Sequence, residues 1–175
     1  MNYIILALLF FASGFFMKIS DDCYDVKHDL ISASVFSVLC ALTCGLAAIS
    51  DVGADYIFIA ILIGNLLAFK VDGLHHVLCM IIFVIICLAF GIPNINLFIL
   101  LICVVAALVD EIGHETIPKV TENKFINLFF EYRFVMKLVI FALAVGGVFS
   151  IWVFVYFILF EIAYELAGIF YSKLN

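Results

Sequence analysis

The sequence predicts an all-α fold: a polytopic helical membrane bundle of about seven transmembrane helices, N-terminus outside and C-terminus inside, forming one domain over residues 1–175. Three observations predict it. The chain is 68% hydrophobic and 13% charged, with a mean hydropathy of +1.34; a soluble domain is roughly half apolar and about a quarter charged. Its apolar residues fall into seven runs. With seven spans, all eight Lys and Arg residues lie on one side of the bilayer, which the positive-inside rule assigns to the cytoplasm.

The first run, Tyr3–Met17, has no basic residue before it and no convincing small-residue cleavage site, so it reads as a span and not as a removed leader. Leu30–Ser50, Tyr56–Phe69, Leu74–Phe90 and Asn94–Val109 follow. The last two runs, Phe134–Val148 and Phe149–Phe170, are divided at Gly146-Gly147. As one helix they would be about twice as long as a bilayer needs. The basic residues are Lys18, Lys27, Lys70, Lys119, Lys124, Arg133, Lys137 and Lys173; the loops Asp51–Asp55 and Gly91–Pro93 carry none. With six spans, Lys173 would stand alone on the wrong side. The odd-numbered runs one, three and five are short, at about 14–16 apolar residues against about 20 for a span. Short spans draw their polar ends towards the hydrocarbon, which predicts a cytoplasmic-side pocket. Residues 116–133 interleave charged and apolar side chains, as an interfacial amphipathic helix or a plain linker would. Ala60, Gly64 and Ala68 form a small-residue stripe for close helix approach, and Asn65 is expected to bond a neighbouring helix. The six cysteines lie mostly within apolar runs and read as packing residues.

The chemistry is concentrated between spans. Asp21-Asp22-Cys23-Tyr24-Asp25-Val26-Lys27-His28-Asp29 holds four carboxylates, a lysine and a histidine. On a continuous helix Asp22, Asp25 and Asp29 share one face, where they attract a divalent cation or protons, or are simply solvated. Three carboxylate–histidine pairs at i, i+3 occur: Asp25/His28, Asp72/His75 and Glu111/His114. Such a pair on a helix can chelate one metal ion; polar interfacial turns also produce it by chance. Capping is a further account, with Asp21 or Asp22 starting the second helix and Asp72 the fourth. It does not suit Asp110 and Glu111, which follow the fifth run, where a carboxylate opposes the helix dipole. Glu161 and Glu165 lie within the last apolar run, Glu161 about 14 Å from its end. A charge there costs about 2.5–3.5 kcal/mol, so it is expected to face a cavity or a partner; Lys70, His75, His76 and His114 are the expected partners. An early end to the helix would instead leave both at the interface.

Asp21-Asp22-x-x-Asp25-x-x-x-Asp29 resembles the first motif of the UbiA-type intramembrane prenyltransferases, [Asn/Asp]-Asp-x-x-Asp-x-x-x-Asp. Asp110-Glu111-Ile112-Gly113-His114 stands where that family has its second acidic motif, with His114 in place of an Asp. The chain is shorter than the family norm. The resemblance implies Mg²⁺ gripping a prenyl diphosphate, with Asp22, Asp25, Asp110, Glu111 and His114 at the reaction centre. It also implies that Lys27, Lys70 and Arg133 neutralise the diphosphate. The wider set of metal candidates is Asp21, Asp22, Asp25, Asp29, Asp72, His75, Asp110, Glu111, His114, Glu161 and Glu165. Carboxylates suit Mg²⁺, whereas the histidines suit Mn²⁺, Zn²⁺ or Fe.

Three functions from different classes follow. The first is a metal-dependent enzyme of the cell membrane acting on an isoprenoid or lipid diphosphate, with the bilayer as its surroundings. The second is a divalent cation or proton transporter or channel with Glu161 and Glu165 on its path. The third is a structural subunit without catalysis. The net charge of −6 comes from local acidic clusters and implies no nucleic-acid partner. Polar residues gather on the cytoplasmic side, which favours a one-sided site over a path. Substrate and oligomeric state are not readable from the sequence.

Overall fold

A computed structural model describes residues 2–71 and 73–174, and every element in it is an α-helix. The helices are α1 Tyr3–Asp25, α2 Leu30–Ala48, α3 Val52–Leu67, α4 Leu74–Phe90, α5 Leu97–Val120, α6 Lys124–Glu131, α7 Phe134–Val145 and α8 Ile151–Leu174. A chain this apolar satisfies its backbone polar groups within helices, as hydrocarbon surroundings require. Helices α1, α2, α5 and α8 are long and apolar enough to cross a membrane. Helices α3, α4 and α7 are apolar but shorter, at 16, 17 and 12 residues. The turn between α7 and α8 is made by Gly146 and Gly147, the latter at φ 74°, a left-handed conformation open to glycine.

Several boundaries differ from the hydropathy reading. Helices α1 and α5 are not short; they span 23 and 24 residues, because helical hydrogen bonding continues past the last apolar residue. Asp21, Asp22 and Asp25 therefore belong to α1, and Asp110, Glu111 and His114 lie in the body of α5. Neither Asp21 nor Asp22 caps α2. Asp29 does, accepting from the Ile31 and Ser32 amides and the Ser32 hydroxyl. These bonds, the Ser32 hydroxyl's first, hold its carboxyl below the usual range. Helix α1 stops at Asp25 and His28 is left-handed, so Asp29 shares no helix face with Asp22 and Asp25. Asp55 is not in a loop either. It lies one turn inside α3, which Asp51 caps. The expected cap Asp72 lies outside the described residues; Gly73 occupies the N-cap position of α4.

The helices close into a ring in the order α1–α2–α3–α5–α7–α8, and α8 returns to α1. Helix α4 lies against α2 and has no comparable packing with α3 or α5. Glycine permits two close approaches. A Cβ on Gly14 would lie 2.1 Å from the Phe160 carbonyl oxygen, so α1 and α8 meet backbone to backbone. Gly64 sits on Ala107, where the small-residue stripe of α3 meets α5. Between α1 and α2 two polar contacts stand among apolar ones: Ser20 with Ser37 at 2.9 Å and Ser13 with Thr43 at 3.0 Å. The core is filled by Phe10, Ile57, Phe58, Ile140, Phe157 and Phe160. The outer surface presents Ile31, Leu88 and Leu97 among many exposed apolar side chains, as bilayer-facing helices do. Helix α6 has no buried residue, and the Phe130 ring at its end packs on Gly113 of α5.

Candidate functional site

A cavity of about 350 Å³ opens at the end of the bundle where α1, α3 and α5 finish and α4 and α7 begin. Its inner wall is apolar and aromatic, made by Phe58, Phe83, Phe157 and Phe160 with Cys40 and Cys44. Its outer part is polar. Lys18, Asp21 and Asp25 come from α1, and Asp110, Glu111 and His114 from α5. Glu161 and Tyr164 come from α8, with Asn65, Lys70, His76 and Arg133 from the remaining elements. Among the described residues three lining cations (Lys18, Lys70, Arg133) face five carboxylates (Asp21, Asp25, Asp110, Glu111, Glu161), so that lining is net negative by two with neutral histidines. Helices α3 and α4 both line this cavity, and their packing on each other is slight beside that of α2 on α4 or α3 on α5.

Most of the charges are already matched. Lys18 meets Asp22 at 2.9 Å, and Arg133 Nε donates to Glu111 at 2.7 Å. Burial disfavours the Arg133 cation, but Glu111, Tyr164 and Glu161 around it together outweigh this and raise its pKa above the usual arginine value. Lys70 pairs with Glu115. Lys137 meets Glu161 at 2.8 Å and also donates to the Tyr132 and Arg133 carbonyls. The partner of Glu161 is therefore a lysine of α7 and none of Lys70, His75, His76 or His114. Lys137 was identifiable as a charge inside an apolar run, the same signal that marks Glu161.

Asp110 is 1% exposed and accepts from the amides of Val135 at 3.0 Å and Met136 at 2.6 Å. These are the second and third residues of α7, whose own N-cap position is held by Arg133 at φ 48° with no side-chain cap. Asp110 thus caps α7 from another helix. A positive helix N-terminus, not visible in the local sequence, offsets this carboxylate.

The structure brings Asp21, Asp25, Lys70, Asp110, Glu111, His114, Arg133 and Glu161 to one cavity. Asn65 of α3 lines it too. Asp22, Asp29, Lys27 and Glu165 do not line it. Lys27 lies over the Tyr171 ring, and Glu165 is exposed. Of the two carboxylate–histidine pairs within the described residues, Glu111/His114 stands on a continuous helix and Asp25/His28 does not, since α1 ends at Asp25; Asp72 of the third pair lies outside the described residues. His114 Nδ1 is buried and meets no donor or acceptor among the described residues.

His75, His76 and Asp21 form a separate convergence. His75 Nε2 is 4.0 Å and His76 Nε2 3.9 Å from Asp21 Oδ1. Ligand atoms of all three lie within 4.8 Å of one another. Tyr164, whose ring lies beneath Lys18 and Arg133, reaches Asp21 Oδ2 with its hydroxyl at 3.4 Å. Nothing in the sequence pattern singled out Tyr164.

These partners bear on the expected magnesium. A hard cation shared by two acidic motifs needs carboxylate oxygens free for it on both. Asp22 and Glu111 are in ion pairs, and Asp29 and Asp110 cap helices. The donor set does not fit a two-motif magnesium arrangement. No protein-family model matches the sequence, and no curated protein or solved structure matches it either.

Proposed function

We propose that the chain is a membrane-embedded enzyme acting on a lipid or prenyl diphosphate, with seven spans and the N-terminus outside. The observation that carries this is the shape of the cavity: charged at one end and aromatic at the other. An amphipathic substrate matches that polarity, its head among Lys18, Lys70 and Arg133 and its tail against Phe58, Phe83 and Phe157. The volume, about 350 Å³, is at the low end for ligand pockets and suits a head group with the first part of a tail. The rim pair Lys70–Glu115 is partly exposed on both sides, so exchanging Glu115 for a phosphate costs little. Because the lining is net negative, an anionic head group enters only together with a cation.

The test is binding and turnover of an isotopically labelled prenyl diphosphate by the chain in lipid nanodiscs, with divalent cations present. Retention of the diphosphate over the corresponding prenyl alcohol, and its loss in Arg133→Ala, are expected. No retention of any lipid diphosphate ends the proposal. Orientation is checked by reporter fusions, expected to read outside at Asn94 and inside at Lys119.

One observation favours a transporter instead. Asp55 is fully buried on α3, and neither of its oxygens meets a donor among the described residues. An unpaired intramembrane carboxylate is a common mark of a proton or ion path. Proton or Mn²⁺ flux into proteoliposomes, abolished by Asp55→Asn, would establish that reading.

A further inference from the structure

We propose that Asp21, His75 and His76 form a binding site for one divalent transition-metal ion of the Zn²⁺, Co²⁺, Mn²⁺ or Fe²⁺ class. The inference deepens the lipid-diphosphate reading, since it names the cation that admits an anionic head group, and it rests on that reading only for the ion's role. Two imidazole nitrogens and one carboxylate oxygen converge from different helices, α4 and α1. Their separations of 3.9 and 4.0 Å exceed a hydrogen bond. They approach the spacing of donors around a shared ion: two ligands on a tetrahedral ion, each at about 2.0–2.2 Å, stand about 3.3–3.6 Å apart. A closure of about half an ångström towards Asp21, and of up to about 1.5 Å between the two imidazoles, within the reach of side-chain torsions, completes the geometry.

The surroundings hold these groups in place. His75 is 1% exposed, and its ring lies against those of Tyr24 and His76, at centroid distances of 4.4 and 3.9 Å and tilted by 32° and 37°. A Cβ on Gly73 would lie 2.5 Å from two atoms of the His75 ring, so only glycine leaves the ring its place. Tyr164 meets Asp21 Oδ2 and leaves Oδ1 facing the imidazoles, as an outer-shell partner orients a ligating carboxylate. Asp21 and His76 both line the cavity, so an ion held by them borders it. The donors decide the metal class: two imidazoles and one carboxylate favour borderline ions over Mg²⁺.

The experiment uses Co²⁺ alone on the purified full chain, with helical content and thermal unfolding recorded for every variant. One equivalent of bound Co²⁺ is expected. His76→Ala and Asp21→Asn should weaken it by about 100-fold or more, and Tyr164→Phe, an outer-shell change, by about 10-fold. His28→Ala, which alters an exposed histidine outside the cavity, should leave it unchanged. In wild-type chain loaded with Cu²⁺, electron paramagnetic resonance should show coupling to two imidazole nitrogens, a readout independent of whether the variants fold. Absence of Co²⁺ binding, affinity unaltered in folded His76→Ala, or a spectrum without imidazole nitrogen overturns the proposal. Lipid-diphosphate retention in the same preparation separates the two readings. Metal bound without lipid leaves this site standing and ends the enzyme proposal. Lipid bound without a metal at these residues ends this inference alone.

Discussion

Removing the Asp110 carboxylate is expected to loosen the start of α7 before it affects any chemistry. Its oxygens accept from Val135 at 3.0 Å and Met136 at 2.6 Å, at a site 1% exposed. At an exposed helix start the loss of a cap costs about 0.5–2 kcal/mol, because water replaces it. Water has poor access here, and each buried amide left without an acceptor costs about 1–3 kcal/mol. Two amides set the gross loss for Asp110→Ala at roughly 2–6 kcal/mol, offset in part because no carboxylate remains to be desolvated. Asp110→Asn keeps one acceptor and should lose about half as much. Equilibrium unfolding in detergent gives the total, and amide hydrogen exchange at residues 134–137 locates it, with faster exchange expected there and little change in α1. The reasoning fails if folded Asp110→Ala keeps wild-type exchange in α7 and wild-type stability within about 0.5 kcal/mol. A folded Asp110→Asn variant with full stability but no activity would instead make Asp110 a participant in the reaction.

Glu161→Gln leaves the Lys137 ammonium without its carboxylate and should destabilise the protein by up to about 3–5 kcal/mol, less whatever the Tyr132 and Arg133 carbonyls retain. The double variant Glu161→Gln, Lys137→Met should recover most of that loss in a double-mutant cycle; strict additivity would show that the pair is not coupled. Gly14→Ala places a methyl group against the Phe160 carbonyl, where only a shift of α1 from α8 relieves it. A loss of about 1–3 kcal/mol is expected in unfolding titrations, and an unchanged midpoint would contradict the backbone contact. Asp29 has a lowered pKa when folded, so its contribution is complete above its unfolded value near pH 4 and vanishes as the pH falls through the lower folded value. Asp29→Asn should therefore flatten the acid limb of the stability profile without altering that limb's dependence on other groups.

The all-helical, membrane-type character was legible because it depends on composition and on periods along one chain. The Gly146-Gly147 break between α7 and α8 was legible for the same reason, since a left-handed turn favours particular residue types. The Asp21–Asp29 and Asp110–His114 stretches and Glu161 stand out in the sequence because charge is rare here and costly in hydrocarbon. What each charge does was decided only by the tertiary structure. Glu161 meets Lys137, Arg133 reaches Glu111, and Asp110 caps α7, across separations of 24, 22 and 25–26 residues. His75 and His76 face Asp21 from another helix, and only packing brings α4 to the end of α1. Hydropathy identifies which segments leave water but is indifferent to their order around the ring. Partners for the buried charges are chosen by that order.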